Sequence, residues 1–352
     1  MLRLLCIGLW VVRSLHPFVA TAGTQVTIHM MNPFSLRNFL FTIILSALTL
    51  SSLSCGSGKE SKPSAATPDT GAIVVGITPT MASLPYLYAD NRGLYDSLGV
   101  DVRVRLFESQ ADLDTALSAG SVDVALSDVV RAALTTTSSS PLLLLSSESC
   151  GWGIVASGKT RLTKVRQLSD RLVGIERFST SDRLLDCALT DTKMKKDAPF
   201  RSQIGKLPLR SSMLNEGQIE AAVLPEPWLS AAQGKGHKLL TTFTAKEGSG
   251  SFGLLAKEKR LRNKDFVKSL QTILKGRNMM VDSLNNLSKS ELQAVVGELF
   301  KIDPASLQKL PAKSTIKAVQ PDRKQIGVAD SYLKTQATGR RRGILETSNI
   351  LF

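Results

Sequence analysis

From residue 72 onward, short apolar runs alternate with segments whose apolar residues recur at helical spacing. The runs at 73–77, 100–106 and 122–126 are short and rich in valine, isoleucine and leucine, which is typical of strands. Between them, hydroxyl-bearing residues precede apolar residues spaced three and four apart, and a glycine follows, which predicts capped helices. The start of this region is therefore predicted to be a strand, helix, strand, helix, strand unit.

The same order of elements recurs further along the chain. Gly76 and Gly120 are 44 positions apart, and Gly174 and Gly217 are 43 positions apart. The matched spacing predicts two tandem copies of one unit. Because strands that alternate with helices form parallel sheets with right-handed crossovers, the predicted class is α/β, with two lobes that are each a mainly parallel sheet flanked by helices.

Two further apolar runs, at 152–157 and 251–256, predict strands that cross between the lobes. The chain after the return crossing carries helix-period apolar residues, which predicts three helices at 265–284, 290–300 and 321–334. The first lobe is thus predicted to comprise residues 71–156 and 251–352, and the second lobe residues 157–250.

Residues 1–54 contain no Asp or Glu and only three basic residues. Arg37 precedes the apolar run 39–50, which has the length of a signal-peptide core and is shorter than the ~18 residues of a membrane-spanning helix. Ser54 and Cys55 follow, and a small residue before a cysteine at this place resembles the lipobox of bacterial lipoproteins. We therefore predict a signal peptide over 1–54 and lipidation of Cys55; a free cysteine after an ordinary signal peptide is the alternative.

A second apolar stretch, at 4–12, precedes candidate starts at Met30 and Met31. Two export signals in series make little physical sense, so the residues before Met30 are predicted to be a spurious extension. Residues 55–70, rich in Ser, Gly, Lys and Pro, are predicted to be a flexible tether. The folded part is therefore expected on the periplasmic side of the cell envelope, anchored to a membrane through lipid.

The formal charge of +14 raises the question of a nucleic-acid partner. However, the basic residues are interleaved with acids, and the one dense run, Arg340 to Arg342, is typical of a solvated tail. No nucleic-acid partner is predicted, and a monomer is expected.

Residues that could support catalysis are scarce. Of three histidines only His237 follows the predicted signal peptide, in a Gly-Lys-Gly-His-Lys segment that is typical of a solvated turn. There is no Gly-x-Ser-x-Gly, no Walker loop and no Cys/His set at metal spacing. No catalytic residue, metal or cofactor is predicted. Cys150 and Cys187 are expected to be either one disulfide or two buried thiols.

The predicted strands end in segments that contain hydroxyl side chains, the first residues of helices and flat apolar side chains. They lie at 78–83, at 127–128, at 178–181 and at 225–228. Ligands of open α/β sheets bind outside the carboxyl ends of the strands, where helix N-termini point. These four segments are therefore the candidate ligand site.

The segments 213–228 and 116–125, with the lipobox-like start, resemble substrate-binding proteins of the nitrate, sulfonate, taurine and thiamine-pyrimidine family of ATP-driven (ABC) importers. The resemblance implies a two-lobed periplasmic binding protein fold of type II, which closes on a small-molecule solute and presents both lobes to a membrane permease. It implies a polar pocket lining of Thr78, Thr80, Ser83, Ser127, Asp128, Ser179, Thr180, Ser181 and Glu226. It also implies an apolar wall or a ring-stacking surface from Trp152, Phe178, Trp228 and Phe252.

The chemistry of these residues does not select one solute. Helix N-termini favour an anion, whereas Asp128 and Glu226 favour an amine or another hydrogen-bond donor. A sulfonate or nitrate, a zwitterion such as taurine and a neutral pyrimidine all remain open. The rival class is an enzyme on the same fold, of the pyrimidine-precursor synthase or small-acid dehydratase type, and a third is a scaffold lipoprotein. Against the enzyme, the pyrimidine-forming relatives use a pocket histidine and a Cys-rich motif, which this chain lacks.

Overall fold

The computed structural model describes residues 71–243, 251–336 and 343–352. The predicted signal peptide, Cys55, the tether and the Arg340 to Arg342 run lie outside the described residues. No helix within the described ranges is both long enough and apolar enough to cross a membrane.

The strands are, in chain order, β1 (Ile73–Ile77), β2 (Val102–Leu106), β3 (Val124–Asp128), β4 (Leu142–Leu144), β5 (Trp152–Ala156), β6 (Leu172–Ile175), β7 (Phe200–Gln203), β8 (Ala221–Pro225), β9 (Lys238–Phe243), β10 (Phe252–Lys257) and β11 (Glu346–Thr347). The helices are α1 (Leu84–Asn91), α2 (Leu94–Ser97), α3 (Gln110–Ala119), α4 (Val129–Thr135), α5 (Thr180–Asp191), α6 (Leu207–Glu216), α7 (Trp228–Gly234), α8 (Lys264–Asn285), α9 (Lys289–Phe300) and α10 (Arg323–Thr335). Short 3-10 helices lie at Val165–Leu168, Glu258–Arg262 and Pro304–Lys309.

The strands form two sheets, one in each lobe. The first sheet has the order β11-β4-β10-β3-β1-β2, and the second has the order β7-β6-β8-β5-β9. In each, the strands of the repeated unit are parallel, and the crossing strand, β10 or β5, is antiparallel to its neighbour. The α/β, two-lobed fold expected from the sequence is confirmed.

The glycines of the repeat have the same roles in both lobes. Gly120 and Gly217 end α3 and α6 in the left-handed conformation, with φ of 81° and 74°, which glycine adopts without the steric cost of a Cβ. A Cβ on Gly76 would lie 2.4 Å from Leu113, and one on Gly174 would lie 2.6 Å from Ile219. Each glycine therefore permits close packing against its own strand-helix unit, which is why the spacing recurs.

Element boundaries differ from the prediction at two places that matter for the site. Strand β3 runs to Asp128, two residues beyond the predicted end, because Phe252 and Gly253 of β10 pair with Asp128 and Ser127. Strand β5 pairs with β8 and β9 only, so residues 152–156 belong to the second sheet and not, as the predicted boundary after 156 had it, to the first lobe.

The segment 145–151, which joins β4 to β5, is anchored in the first lobe by a buried polar group. The Glu148 Oε1 atom accepts hydrogen bonds from Tyr86 at 2.7 Å and from Ser146 at 2.9 Å. Arg277 Nη2 lies 2.8 Å from Glu148 Oε2, and the two side chains are 1% and 0% exposed. Because breaking a buried ion pair leaves an uncompensated charge, this link is held firmly to α1 and α8.

Candidate functional site

A cavity of about 30 Å³ lies between the two sheets. Most of its lining residues come from the edge where the parallel strands end and the antiparallel strands β5 and β10 begin, and Arg210 reaches it from within α6. The first lobe contributes Thr78, Thr80, Glu108, Gln110, Asp128 and Phe252, and the second contributes Trp152, Glu176, Ser179, Ser181, Gly205, Leu207, Arg210 and Pro225. Such a volume holds about two water molecules, so a larger solute enters only when the lobes separate.

The turn before α5 forms one wall and is held by its own hydroxyls. The Ser179 hydroxyl accepts from the Ser181 N–H at 3.1 Å and caps the helix. It also donates to the Glu176 carbonyl at 2.8 Å, while the Ser181 hydroxyl accepts from the Glu176 N–H at 2.9 Å. The predicted residues Ser179 and Ser181 therefore both fix this turn and line the cavity.

Asp128 joins the lobes at this turn. Its Oδ1 atom accepts from the Val130 and Arg131 N–H groups, at 2.9 and 3.2 Å, and so caps α4. Its Oδ2 atom accepts from the Thr180 N–H at 2.8 Å, across the interface between the lobes. A carboxylate of the first lobe thus occupies a free N–H group at the start of α5, the position that attracts anions.

Two charged side chains of the second lobe line the cavity, and sequence reasoning did not find either. Arg210, in α6, is 1% exposed; its Nε and Nη1 atoms donate to the Ile204 and Val223 carbonyls at 2.8 and 2.9 Å. Burial lowers the pKa of Arg210 to about 10. Glu176 directly follows β6 and is 7% exposed. Burial raises the pKa of Glu176 to about 7, against the opposing effect of Arg210.

The turn after β1 forms the facing wall. The Ser83 hydroxyl donates to the Thr78 carbonyl at 2.6 Å and lies 2.8 Å from the Thr80 carbonyl. Ser83 therefore shapes the turn instead of capping α1, and it is not among the cavity-lining residues. The Thr80 hydroxyl, in a residue that is 1% exposed, has no hydrogen-bond partner in the described part of the chain.

An aromatic pair closes one side of the cavity. The Trp152 and Phe252 rings are stacked, with centroids 5.9 Å apart and planes at 13°. Trp152 Nε1 donates to the Ser251 hydroxyl at 3.0 Å. Since β5 and β10 begin at these two residues, both lobes contribute to this apolar surface.

Three other predicted residues, Ser127, Phe178 and Thr180, are not among the residues that line the cavity. The Ser127 hydroxyl accepts from Gln110 Nε2 at 2.7 Å, and so helps to position Gln110 beside the cavity. Thr180 contributes its N–H to Asp128. Phe178 is half-buried with a φ of 57°, and its ring lies under the Arg177 guanidinium.

Glu226 and Trp228 hold the lobes together at a different place. Both Glu226 carboxylate oxygens accept from Ser230, from its N–H at 3.0 Å and from its hydroxyl at 2.9 Å. The Glu226 carbonyl accepts from the Met81 N–H at 2.9 Å, and Trp228 Nε1 donates to the Pro79 carbonyl at 2.7 Å. Neither side chain lines the cavity in this closed form.

Two groups outside the cavity resolve questions that the sequence left open. His237 is 9% exposed, with Nδ1 accepting from the Gly158 N–H at 2.9 Å and Nε2 lying 2.7 Å from Asn215 Oδ1. It is therefore a packed structural residue and not a solvated one, because Asn215 and Gly158 hold it between two loops. Cys150 and Cys187, both within the described residues, are not joined by a disulfide. Three or more metal-ligating side chains do not converge anywhere in the described ranges.

No protein-family model and no curated protein matches this chain. The fold is that of periplasmic binding proteins: a Candida albicans protein described as having the generic form of that fold superposes with a TM-score of 0.58 at 12% identity, over 80% of this chain and 93% of its own.

Two solved binding proteins share this fold over most of their length. The alkanesulfonate-binding protein SsuA of Xanthomonas axonopodis pv. citri, bound to MOPS, has a TM-score of 0.65 and 17% identity over 81% of this chain and 100% of its own. The nitrate-binding protein NrtA of Synechocystis PCC 6803 has a TM-score of 0.62 and 13% identity over 80% of this chain and 86% of its own. The resemblance seen in the sequence is confirmed at the level of the fold.

Proposed function

We propose that the protein is a lipid-anchored, extracytoplasmic substrate-binding protein of an ABC importer. It captures a small anionic, zwitterionic or heterocyclic solute by hinge closure and delivers it to the permease. The observation that carries the proposal is Arg210, a buried cation that lines a cavity between two lobes. The sulfonate- and nitrate-binding proteins of the same fold support it; the lipid anchor rests on the sequence around Cys55.

A buried guanidinium is costly unless an anion or full hydrogen bonding compensates it. Two of the three Arg210 nitrogens donate to carbonyls, and no described carboxylate lies within ion-pair distance of it. The two carbonyls hold the planar group in one orientation. A sulfonate or carboxylate of the solute would supply the missing charge through the geometry that guanidinium groups bind best.

Several direct bonds join the lobes around the cavity. They include the contacts from Thr180 to Asp128, from Met81 to Glu226, from Trp228 to Pro79, from Trp152 to Ser251 and from Lys206 to Glu108. A solute that touches both walls adds contacts that only the closed form makes, and so it shifts the equilibrium toward closure. Thr78, Thr80, Ser179 and Ser181 are proposed as its hydrogen-bonding partners, next to the Trp152 and Phe252 rings.

The enzyme alternative receives no support from the described cysteine and histidine side chains, none of which lines the cavity. The Cys150 thiol is buried, which raises its pKa well above the usual range and keeps it protonated. His237 is held by Gly158 and Asn215. We therefore propose binding without covalent chemistry.

Isothermal titration of the purified full-length chain with alkanesulfonates, nitrate, aminosulfonates and thiamine pyrimidines tests the proposal. One class should bind and be recovered unchanged; turnover would favour the enzyme, and no binding would contradict both. Arg210→Met should weaken binding by about tenfold or more, whereas Arg161→Met, which removes an exposed arginine of the same lobe, should not. If Arg210→Met does not fold, Arg210→Lys, which keeps the charge but loses the planar fork, should still weaken binding measurably.

A further inference from the structure

We infer that the solute carries a protonated amine in addition to its anionic group, with Glu176 binding the amine and Arg210 the anion. This inference deepens the proposed function and rests on it. The structure supports it through the partners of three buried charged residues that line the cavity, Glu176, Arg210 and Asp128.

Glu176 is a buried carboxylate whose oxygens have no donor. Its side chain lines the cavity and is more than nine-tenths buried. Among the described residues, none donates a hydrogen bond to its carboxylate oxygens, although its N–H and carbonyl are both bonded within the turn. A Cβ on Gly205 would lie 3.4 Å from Oε1, so a glycine leaves space beside this oxygen. A buried carboxylate with free lone pairs is a site for a donor.

Glu176 and Arg210 do not neutralise each other. Both line the same cavity, but no ion pair joins them within 4.0 Å in the described chain. Arg131, whose positive charge also acts on Glu176, already forms an ion pair with Asp114. The Asp114 Oδ2 atom lies 2.8 Å from Arg131 Nη2. Two opposite charges that face one cavity without pairing are complementary to a solute that carries both charges.

Asp128 argues against a solute that is only anionic. The N-terminus of α5 also attracts anions, but Asp128 of the first lobe already accepts the Thr180 N–H there. A simple anion at that place would displace Asp128 and lie near the charge of Glu176. The remaining carboxylate of the cavity, Glu108, lies at the rim, where Lys206 Nζ is 3.0 Å from its Oε2.

The ionisation of Glu176 offers a second readout. Because burial raises its pKa to about 7, part of the carboxyl is protonated near neutral pH. An ammonium group stabilises the charged carboxylate, so binding of an amine should release protons below about pH 7 and strengthen as the pH rises through that value.

The test uses the full-length chain and a matched pair of probes, 2-aminoethanesulfonate and ethanesulfonate, at about pH 8. The wild-type chain should bind the aminated probe about tenfold or more tightly than its partner. Glu176→Gln should abolish this preference while the affinity for ethanesulfonate stays equal or rises. Glu216→Gln, which removes an exposed carboxylate from the same lobe, should keep the preference. Should Glu176→Gln fail to fold, Glu176→Asp keeps the charge and should retain the preference at lower affinity.

Equal or tighter binding of ethanesulfonate by the wild-type chain would overturn the amine inference and leave the proposed function intact. A preference that persists in Glu176→Gln would also overturn it, since the amine would then bind elsewhere. Failure of both probes, together with the panel above, would overturn the proposed function itself. Below about pH 7, proton release that is equal for the two probes would count against Glu176 as the amine partner.

Discussion

At the scale of single residues, Thr80 is the clearest case of a side chain that does not serve stability. Its buried hydroxyl has no partner among the described residues. Valine has nearly the same shape without the polar atom, so Thr80→Val should raise the free energy of unfolding by about 1 kcal/mol. Because Thr80 is one of the cavity-lining residues, the same change should weaken solute binding. Denaturant unfolding and titration measure the two effects on one preparation.

Thr242→Val is the control for this prediction. Thr242 is exposed on β9, away from the lining residues, and its change should leave both quantities nearly unaltered. If Thr80→Val lowered stability instead, the hydroxyl would have to be hydrogen-bonded, and its proposed role toward a solute would lose its basis.

Glu226 leads to a pH-dependent prediction. Burial raises its pKa from 4.5 in the unfolded chain to about 7, with hydrogen bonds from Ser230 opposing the shift. The contribution of the protonated Glu226 carboxyl group to the free energy of unfolding is fully present below pH 4.5. It is lost as the pH rises through about 7. Glu226→Gln does not titrate and keeps an acceptor for Ser230. Its stability relative to wild type should therefore increase between about pH 4 and pH 8, by up to about 3 kcal/mol.

Denaturant unfolding at the two pH values checks this, with Glu216→Gln controlling for net charge. A difference between Glu226→Gln and wild type that does not change with pH would show that folding does not shift the pKa of Glu226.

Individual site residues were predictable only where the chain position determines the direction of the side chain. Thr78 and Ser179 follow strands, Asp128 is the last residue of one, and every strand of the repeat ends at the same edge. Glu176 stands directly after β6 and could have been found by the same rule. Arg210 could not, because it lies within α6, and its reach into the cavity depends on how that helix packs on β8. Glu226 also follows a strand, yet its carboxylate bonds to Ser230 in α7.

At the scale of elements, the contact between α7 and the 3-10 helix Pro304–Lys309 depends on one glycine. A Cβ on Gly234 would lie 1.8 Å from the Ser306 carbonyl oxygen, a backbone atom that cannot rotate away. Gly234→Ala should therefore lower the free energy of unfolding by about 2 kcal/mol or more, measured by denaturant unfolding.

Gly327→Ala is the matched control for this packing argument. Gly327 lies inside α10, and a Cβ there would meet nothing within 4 Å. Alanine should be neutral or should stabilise α10 by about 0.5–1 kcal/mol, because it has the higher helix propensity. Equal effects of the two changes would contradict the close contact at Ser306.

The elements themselves were largely predictable, since local signals agree with the tertiary structure. Ser109 caps α3, Ser179 caps α5, and the two left-handed glycines end their helices as expected. The sheet to which β5 belongs was not predictable, because the five residues Trp152–Ala156 are apolar throughout and would suit either sheet. Only the pairing with β8 and β9 decides it.

At the scale of the whole molecule, Asp128 should control how far the lobes are closed. Asp128→Asn keeps an oxygen to cap α4 but can place an N–H group against the Thr180 N–H. Losing a hydrogen bond to a charged group costs about 1.5–3 kcal/mol, enough to shift the closed-to-open ratio about tenfold or more. Small-angle X-ray scattering without solute should show a larger radius of gyration than wild type.

Asp112→Asn provides the control, since it removes an exposed carboxylate from the same lobe and leaves the lobe contact untouched. An unchanged radius for Asp128→Asn would show that the Thr180 contact does not hold the lobes together. The other contacts between the lobes, such as those from Met81, Trp228 and Lys206, would then be sufficient.

The placement of the indole rings has a practical consequence. Trp152 stacks on Phe252 beside the cavity, and Trp228 donates to a carbonyl of the opposite lobe. These are the two tryptophans of the described chain, and both report on the same boundary. Separation of the lobes would expose both indole rings to water at once. The intrinsic tryptophan fluorescence of the unlabelled protein should therefore move to longer wavelength on opening and return when a solute is bound.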